Sequence, residues 1–505
     1  MENLYSYGYV AVLFSVILWD YHDSRDKPVG VVKILLSLSI LAYLAGVIFS
    51  HGTIFYKITR ILPRDVIVLL LIIVLSHFVI RNKIATALMM VCMFAVLKFY
   101  YMDVLQTSFV SQKAELFAQG EFLFDIKDDK MVSRIKELLA EYDVTVKKAF
   151  PELKNRAASE LDDYYLLDIG NKFADEADEI MEKLYASDTI DWVERNEVIQ
   201  LGKPLKGKGA KYDVSKNCVN DPLVSRQWAF SAMQMCNFFK AMKKNKFKKR
   251  VKVAILDTGV DAEHEDLKGS FISTDKTFDK DGMGHGTHCA GIAGAVTNNR
   301  GGIASFFPGK NKYVRITSIK VLQDNGGGSQ HGIIRGVIKA VDTGAKVLSL
   351  SLGGPSDDLG QKAWEEAVKY AANAGAIIVV AAGNENDNAK NYAPAGVKGV
   401  IAVSAVDKDI NKADFSNYVN DLDMAVAAPG VDITSTFPGS EYRSFNGTSM
   451  AAPHVAGLIG IMKAIKPNLT TGQAFKILKR TGLDTVDPEK TGKFIQPAKA
   501  IAALR

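Results

Sequence analysis

The first hundred residues carry long apolar runs, and helical and strand periodicities begin only after them. The runs fall at about 5–19, 29–50, 65–80 and 84–102. Crossing a bilayer's hydrocarbon core takes about 20 apolar residues, with about 17 as the lower limit. The second and fourth runs meet it. The first and third are shorter and need snorkelling flanks or local thinning. None shows a polar face, so residues 1–105 read as an α-helical transmembrane bundle of about four helices rather than a buried soluble bundle. Residues 1–8 hold no Lys or Arg, unlike the basic start of a signal peptide. Arg25, Lys27, Arg81 and Lys83 sit in the first and third loops, against Lys57, Arg60 and Arg64 in the second. The positive-inside rule then slightly favours both termini outside, although Lys98 and Lys113 pull the other way.

Next comes a mixed α+β pattern. Residues 121–127 alternate apolar and polar, as a half-buried strand does. Val132, Ile135, Leu138, Leu139 and Tyr142 follow at helical spacing. Residues 164–169 read as a strand, 176–185 as an amphipathic helix and 190–199 as a closing strand, a βαββαβ-like, ferredoxin-like order over 119–201. Residues 202–216 hold three glycines, a proline and five lysines without apolar periodicity, which predicts a flexible, exposed linker.

From 217 to 505 strands alternate with helices. Strands are expected at 251–256, 315–322, 345–350, 376–382 and 400–405. Helices are expected near 286–296, 330–343, 360–374, 449–464 and 470–480. That predicts an α/β domain with a doubly wound parallel sheet covered on both faces. Roughly 300 residues is ample for one large core.

Charge adds little. The net charge of +6 over 505 residues does not argue for nucleic acid. One basic cluster stands out at 240–252, read as a solvated loop and helix end, with attraction to anionic headgroups or an acidic partner as the alternative. The four cysteines, Cys92, Cys218, Cys236 and Cys289, show no metal-ligand spacing. Cys218 and Cys236 are free to pair, which spacing alone does not decide.

Four short segments carry candidate chemistry. Asp257 ends the apolar run VKVAILD, where open α/β sheets place their chemistry. His285 and His288 lie in GHGTHCAG at the start of a small-residue helix, each a candidate base. Asn384 follows the strand ending in Ala381-Ala382-Gly383. Ser449 sits in GTSMAAPHVAG, a tight turn before a helical run, where backbone N–H groups face outward. A serine becomes a nucleophile only with a base to take its proton and donors for the oxyanion. Taken singly, each segment reads as well as a turn or a cap.

Together, and in the order Asp257, His285, Ser449, these segments resemble the subtilisin-like serine proteases (subtilases, peptidase S8) over residues 217–505. The resemblance implies a serine endopeptidase with Asp257, His285 and Ser449 as triad, His288 as a structural neighbour and Asn384 as oxyanion donor. It implies that Ser351, Leu352 and Gly353 pair with substrate backbone and wall the first specificity pocket. Cys289, inside the histidine motif, is expected to be a small buried residue that makes the site sensitive to thiol reagents. No cofactor is required for the chemistry. A structural calcium is implied at Asp221, Asp266 and Asn299. The ending Trp192-Val193-Glu194-Arg195-Asn196 resembles that of inhibitor-I9 propeptides, which places a processing bond near 201–203. The expected partners are protein or peptide substrates, the chain's own prodomain as inhibitor and chaperone, and membrane lipid, with no nucleic acid. The resulting picture is a multi-pass membrane protein with an extracytoplasmic catalytic domain that self-processing would cut from its anchor. Two other readings stand beside it. One is an inactive subtilase-shaped binding module. The other is a membrane sensor or transporter, for which Lys33, His77 and Lys98 are few and near run ends.

Overall fold

A computed structural model describes residues 12, 15, 35–40, 120–201, 205–213, 218–308, 313–356 and 361–504. The chain divides into two units, Met1–Glu115 and Leu116–Arg505. In the first, residues 35–40 are helical. The four apolar runs otherwise lie outside the described residues. Among the described residues no helix is long and apolar enough to cross a membrane.

The second unit begins with a four-stranded antiparallel sheet. Its elements run β1 (Phe122–Ile126), α1 (Val132–Leu138), β2 (Val144–Lys148), β3 (Tyr164–Ile169), α2 (Ala177–Tyr185) and β4 (Ile190–Arg195). The strand order is β2-β3-β1-β4, a ferredoxin-like arrangement. β1 is buried along its whole length, not half-buried as its alternation predicts. Both faces of the sheet are covered. Phe122, Phe124 and Ile126 pack with Ile135, Ile180 and Leu184 under the helices. Leu123, Tyr164 and Leu166 face the other way, into the core of the following domain.

The expected strand 190–199 breaks at Asn196-Glu197. Its last residues form β5 (Val198–Gln200), which leaves the sheet. The linker expected to be flexible and exposed is partly docked instead. β6 (Leu205–Lys206) joins another strand pair, and Asp432 accepts hydrogen bonds from Gly209 N (2.6 Å), Ala210 N (3.1 Å) and the Tyr212 hydroxyl (2.7 Å). Lys206, Lys208 and Lys211 stay exposed while the backbone between them makes the anchor.

The remaining domain is a seven-stranded sheet, all of its pairs parallel. Its chain order is β7 (Val251–Asp257), α3 (His285–Gly294), β8 (Val314–Lys320), β9 (Gly327–Ser329), α4 (Gln330–Asp342), β10 (Ala345–Leu350), α5 (Lys362–Asn373), β11 (Ile377–Ala381), β12 (Ile401–Val406), β13 (Ala425–Pro429), β14 (Ile433–Phe437), β15 (Glu441–Asn446), α6 (Thr448–Ile465), α7 (Thr471–Thr481) and β16 (Lys493–Phe494). The sheet runs β8-β7-β10-β11-β12-β13-β16; β9, β14 and β15 lie outside it. Residues alternate between two cores. Val253, Ile255 and Val379 meet α3 and α6 on one face, whereas Ala254, Leu256 and Val380 meet α4 and α5 on the other. α3 and α6 are buried all round, which explains their lack of a polar face. The strand order reverses beside β7, so the C-terminal ends of β7 and β10 flank a switch point, where α/β sheets bind ligands.

Candidate active site

The ends of β7 and β10 and the starts of α3 and α6 meet at one edge of the sheet. Asp257 closes β7 and is buried. His285, the first residue of α3, places Nδ1 2.8 Å from Asp257 Oδ1. Asp257 also accepts from Thr258 N at 2.8 Å. Burial opposes the charged imidazole, but the Asp257 carboxylate overrides it and holds the His285 pKa well above its ordinary value.

Why α3 reaches Asp257 is a matter of small residues and one buried acid. A Cβ on Gly286 would come within 2.1 Å of the Gly259 carbonyl, so only glycine permits this approach. Asp281, four residues before His285, accepts from Thr258 Oγ1 (2.8 Å), Gly284 N (2.8 Å), Thr287 N (2.8 Å) and Thr287 Oγ1 (2.7 Å). One carboxylate thus ties the β7 loop to the first turn of α3. Nothing in the sequence separates this aspartate from an ordinary loop residue.

His288 lies one turn further on. Its Nε2 pairs with the Arg443 carbonyl at 3.0 Å, its ring packs on Phe445, and burial drives its pKa down to about 3. It is a neutral packing residue. Cys289 bridges the two motifs, its thiol 3.4 Å from the Ser449 carbonyl and 4.0 Å from His285 Nδ1. Asp257, His285 and Cys289 hold ligand-type atoms within 4.8 Å of one another. Burial raises the thiol pKa, which keeps it protonated and unsuited to binding metal.

Ser449 is the second residue of α6. Its hydroxyl donates to the Ser351 carbonyl at 3.1 Å, and Ser351 Oγ donates back to the Ser449 carbonyl at 2.8 Å. Resting hydroxyls of this kind often realign only when substrate binds. Asn384 follows β11. Thr448 donates to its Oδ1 through both N (2.8 Å) and Oγ1 (3.0 Å), which fixes the amide's rotation. Buried Asn417 holds the same loop, accepting from Glu385 N (2.9 Å) and Asp387 N (3.0 Å). Its segment, Asp414–Tyr418, resembles a subtilase stretch, and the structure gives it this supporting task. A cavity of about 80 Å³ opens beside Ser449, walled by Ser351, Leu352 and Gly353 and by Tyr392, Ala393 and Ala395. Leu201 lines the same cavity.

The family model "Subtilase family" matches residues 248–495. Thermitase of Thermoactinomyces vulgaris is 47% identical over 217 residues, covering 42% of this chain and 74% of that protein. The chain belongs to the subtilase family. It is a subtilisin-like serine endopeptidase. Subtilisin DY of Bacillus licheniformis is 40% identical over 260 residues, covering 50% of this subtilase and 90% of the relative. A solved structure of a protease from Pseudoalteromonas arctica aligns with a TM-score of 0.50 at 29% identity, over 57% of this chain and 100% of that one.

The three residues expected to hold calcium in this subtilase also converge. Asp221 and Asp266 are buried. Asn299 Nδ2 lies 2.6 Å from Asp266 Oδ1, and Asn299 N lies 3.4 Å from Asp221 Oδ1. The two buried carboxylates are oxygen ligands of the kind a hard cation takes, whereas Asn299 turns its amide nitrogen toward Asp266 and its Oδ1 accepts from Gly301 N. Cys218 and Cys236 form a disulfide, with Cα atoms 5.6 Å apart.

Proposed function

We propose that Asp257, His285, Ser449 and Asn384 carry out peptide hydrolysis in this subtilase. The observation that carries the reading is the buried Asp257–His285 bond beside a serine at a helix start. Ser449 Oγ attacks the peptide carbonyl, and His285 takes its proton. The C–N bond breaks as His285 protonates the departing amine. Water then hydrolyses the serine ester by the same route in reverse. Asp257 holds the tautomer and offsets the imidazolium charge. The Asn384 amide and the Ser449 N–H hold the oxyanion.

The first bond cut is proposed to be Leu201–Gly202, in cis. β5 pairs antiparallel with β9, with Gln200 opposite Gly327, and Leu201 N donates to the Gly326 carbonyl at 2.9 Å. On the far side β6 pairs with β15, with Leu205 opposite Asn446. The chain is therefore strand-bound on both sides of the Ser449 cleft, as a substrate is. After cleavage, residues 119–201 act as an inhibitory prodomain held by Glu194 and Asn196. Glu194 accepts from Lys362 N (3.1 Å) and Ala363 N (3.2 Å) at the start of α5, and Asn196 Oδ1 accepts from His331 N (2.9 Å) on α4.

Residues 1–105 serve as a lipid-embedded multi-pass anchor in this reading, with the peptidase outside the cytoplasm. The Cys218–Cys236 bond supports that side, because disulfides persist in oxidising compartments. Asp221, Asp266 and Asn299 hold a structural calcium. The decisive experiment compares wild type with Ser449→Ala. The wild type should release a fragment whose N-terminal sequence starts at Gly202, and the variant should stay whole. Equal fragments from both would assign the cut to another protease, and no cut in either would end the autoprocessing reading.

A further inference from the structure

At the opposite edge of the sheet, below the starts of β7, β10 and β11, lies a cavity of about 620 Å³. Lys249, Arg250, Lys346, Lys398 and Lys463 line it against a single carboxylate, Glu365. Lys369 also reaches it but is paired with Glu366 at 3.3 Å. Among the described residues, none of the five cations has an acidic partner within 4 Å. The N-terminal turn of α7, with Thr471 and Gly472, forms another wall and presents the positive end of its dipole. Lys249 and Arg250 of the basic cluster at 240–252 thus line the cavity while staying exposed, so the reading of that cluster as solvated holds.

Lys463 is the telling residue. It is 1% exposed, and its ammonium donates to the Leu469 carbonyl at 2.7 Å. An ammonium has three donors, so two remain for the cavity side. Lys346 similarly donates to the Ala374 carbonyl at 2.7 Å. Burial, reinforced by the charges of Lys346 and Lys249, pulls the Lys463 pKa down to about 8. Buried Lys463 and half-buried Lys346 repel each other and their exposed neighbours Lys249, Arg250 and Lys398, a cost that a bound polyanion offsets.

We infer that this cavity binds a phosphate monoester, a group that approaches two negative charges and can meet several cations at once. A carboxylate carries one charge and would leave most of them unmet. Phosphate chemistry is available from a soluble phosphorylated compound or from a phospholipid headgroup. The test uses the full-length Ser449→Ala chain in detergent. Inorganic pyrophosphate is titrated in one arm, and micelles doped with phosphatidic acid, whose headgroup is a phosphomonoester, in the other, both against chloride at equal ionic strength. Saturable binding at one equivalent is expected. Pyrophosphate binding points to a soluble ligand, and binding of phosphatidic acid alone points to a headgroup. Lys463→Met and Lys346→Gln should each weaken binding about tenfold, the scale of one charge-assisted hydrogen bond. Lys463→Met should also melt higher than its parent without ligand, because it removes a buried charge, and should show a smaller ligand-induced rise. Lys398→Gln, at an exposed position, gives a second variant with little risk to folding, and it should bind severalfold more weakly. Absence of saturable binding in both arms overturns the inference, as does unchanged affinity in the lysine variants.

Discussion

Asp257 Oδ1 and His285 Nδ1 stand 2.8 Å apart in full burial, and the carboxylate raises the imidazole pKa against the pull of desolvation. The general base must be neutral, so its competent fraction grows as pH rises through that pKa. Activity should follow one limb, lost as pH falls through the raised His285 pKa. Asp257→Asn removes the carboxylate charge and leaves the burial. The limb should then move to lower pH, and kcat should drop about 10⁴-fold through the wrong tautomer. A pH profile with an unmoved limb would reject His285 as the base.

Thr448 donates twice to Asn384 Oδ1, which leaves the amide nitrogen as the end that would serve the proposed oxyanion. Asn384→Ala is expected to lower kcat about 10²–10³-fold with KM nearly unchanged. Steady-state kinetics on a peptide substrate decide this. A change confined to KM would make Asn384 a binding residue instead. The same variant should process its own Leu201–Gly202 bond more slowly.

Much of this site is legible in the sequence, and the reason is burial. β7, β10, β11 and β12 are buried on both faces along almost all their length, so they appear as mainly apolar runs, interrupted only at Lys252, Lys346, Ser349 and Ser404. Asp257, His285, Asn384 and Ser449 sit at the ends of those runs and at helix starts, but position alone leaves each as a turn or cap, and their roles come from the resemblance to the subtilases. Other features depend on contacts remote in the chain. β2, with the pattern VTVKK, is a short edge strand without a distinctive period. β5 looks continuous with β4 until its partner, β9, is known. Asp281 is a buried acceptor in a glycine-rich loop, where sequence shows only a loop. The Cys218–Cys236 pairing likewise needed coordinates.

Asp281 is expected to be a positioning residue. Its Oδ1 and Oδ2 satisfy donors from Thr258, Gly284 and Thr287. Asp281→Ala strands those buried donors and should cost about 3 kcal/mol of stability. It should also lower kcat, because the His285 helix start loses its tie to the Asp257 loop. Asp281→Asn keeps one acceptor oxygen and should recover part of both losses. Thermal melts with kcat measured below the transition test the point. Full activity in a destabilised Asp281→Ala would confine the residue to a structural role.

Asp221, Asp266 and Asn299 gather loops that are remote in sequence. A bound cation stabilises the folded state by mass action, by about 2.7 kcal/mol at a hundredfold excess over Kd. Chelation by EDTA should therefore lower the melting temperature, and added calcium should restore it. Asp221→Asn should blunt that response while leaving kcat largely intact. A melting temperature indifferent to both reagents would remove calcium from this site.

Glu194 is buried at the start of α5, and desolvation raises its pKa from 4.5 to about 7. An acid with a raised pKa holds its proton more tightly in the docked state. Its contribution to prodomain docking is thus complete below about 4.5 and lost as pH rises through about 7. His331, whose Nε2 meets the Ala149 carbonyl at 2.7 Å, acts oppositely, because burial lowers its pKa and docking favours its neutral form. Its contribution is complete above its ordinary value of 6.5 and lost as pH falls below it. The two slopes oppose each other on the acidic side. Wild-type docking should therefore change little with acidification, decline modestly from pH 6.5 to about 7 and level off above that. Glu194→Gln removes one slope and leaves the other. Its docking affinity should fall with acidification below pH 6.5, by up to about tenfold per pH unit. It should also dock more weakly throughout, because the amide offers α5 one acceptor where the carboxylate offers two. Size-exclusion of the processed complex at stepped pH reads both profiles directly. A Glu194→Gln profile as flat as that of the wild type would place the pH response on other groups.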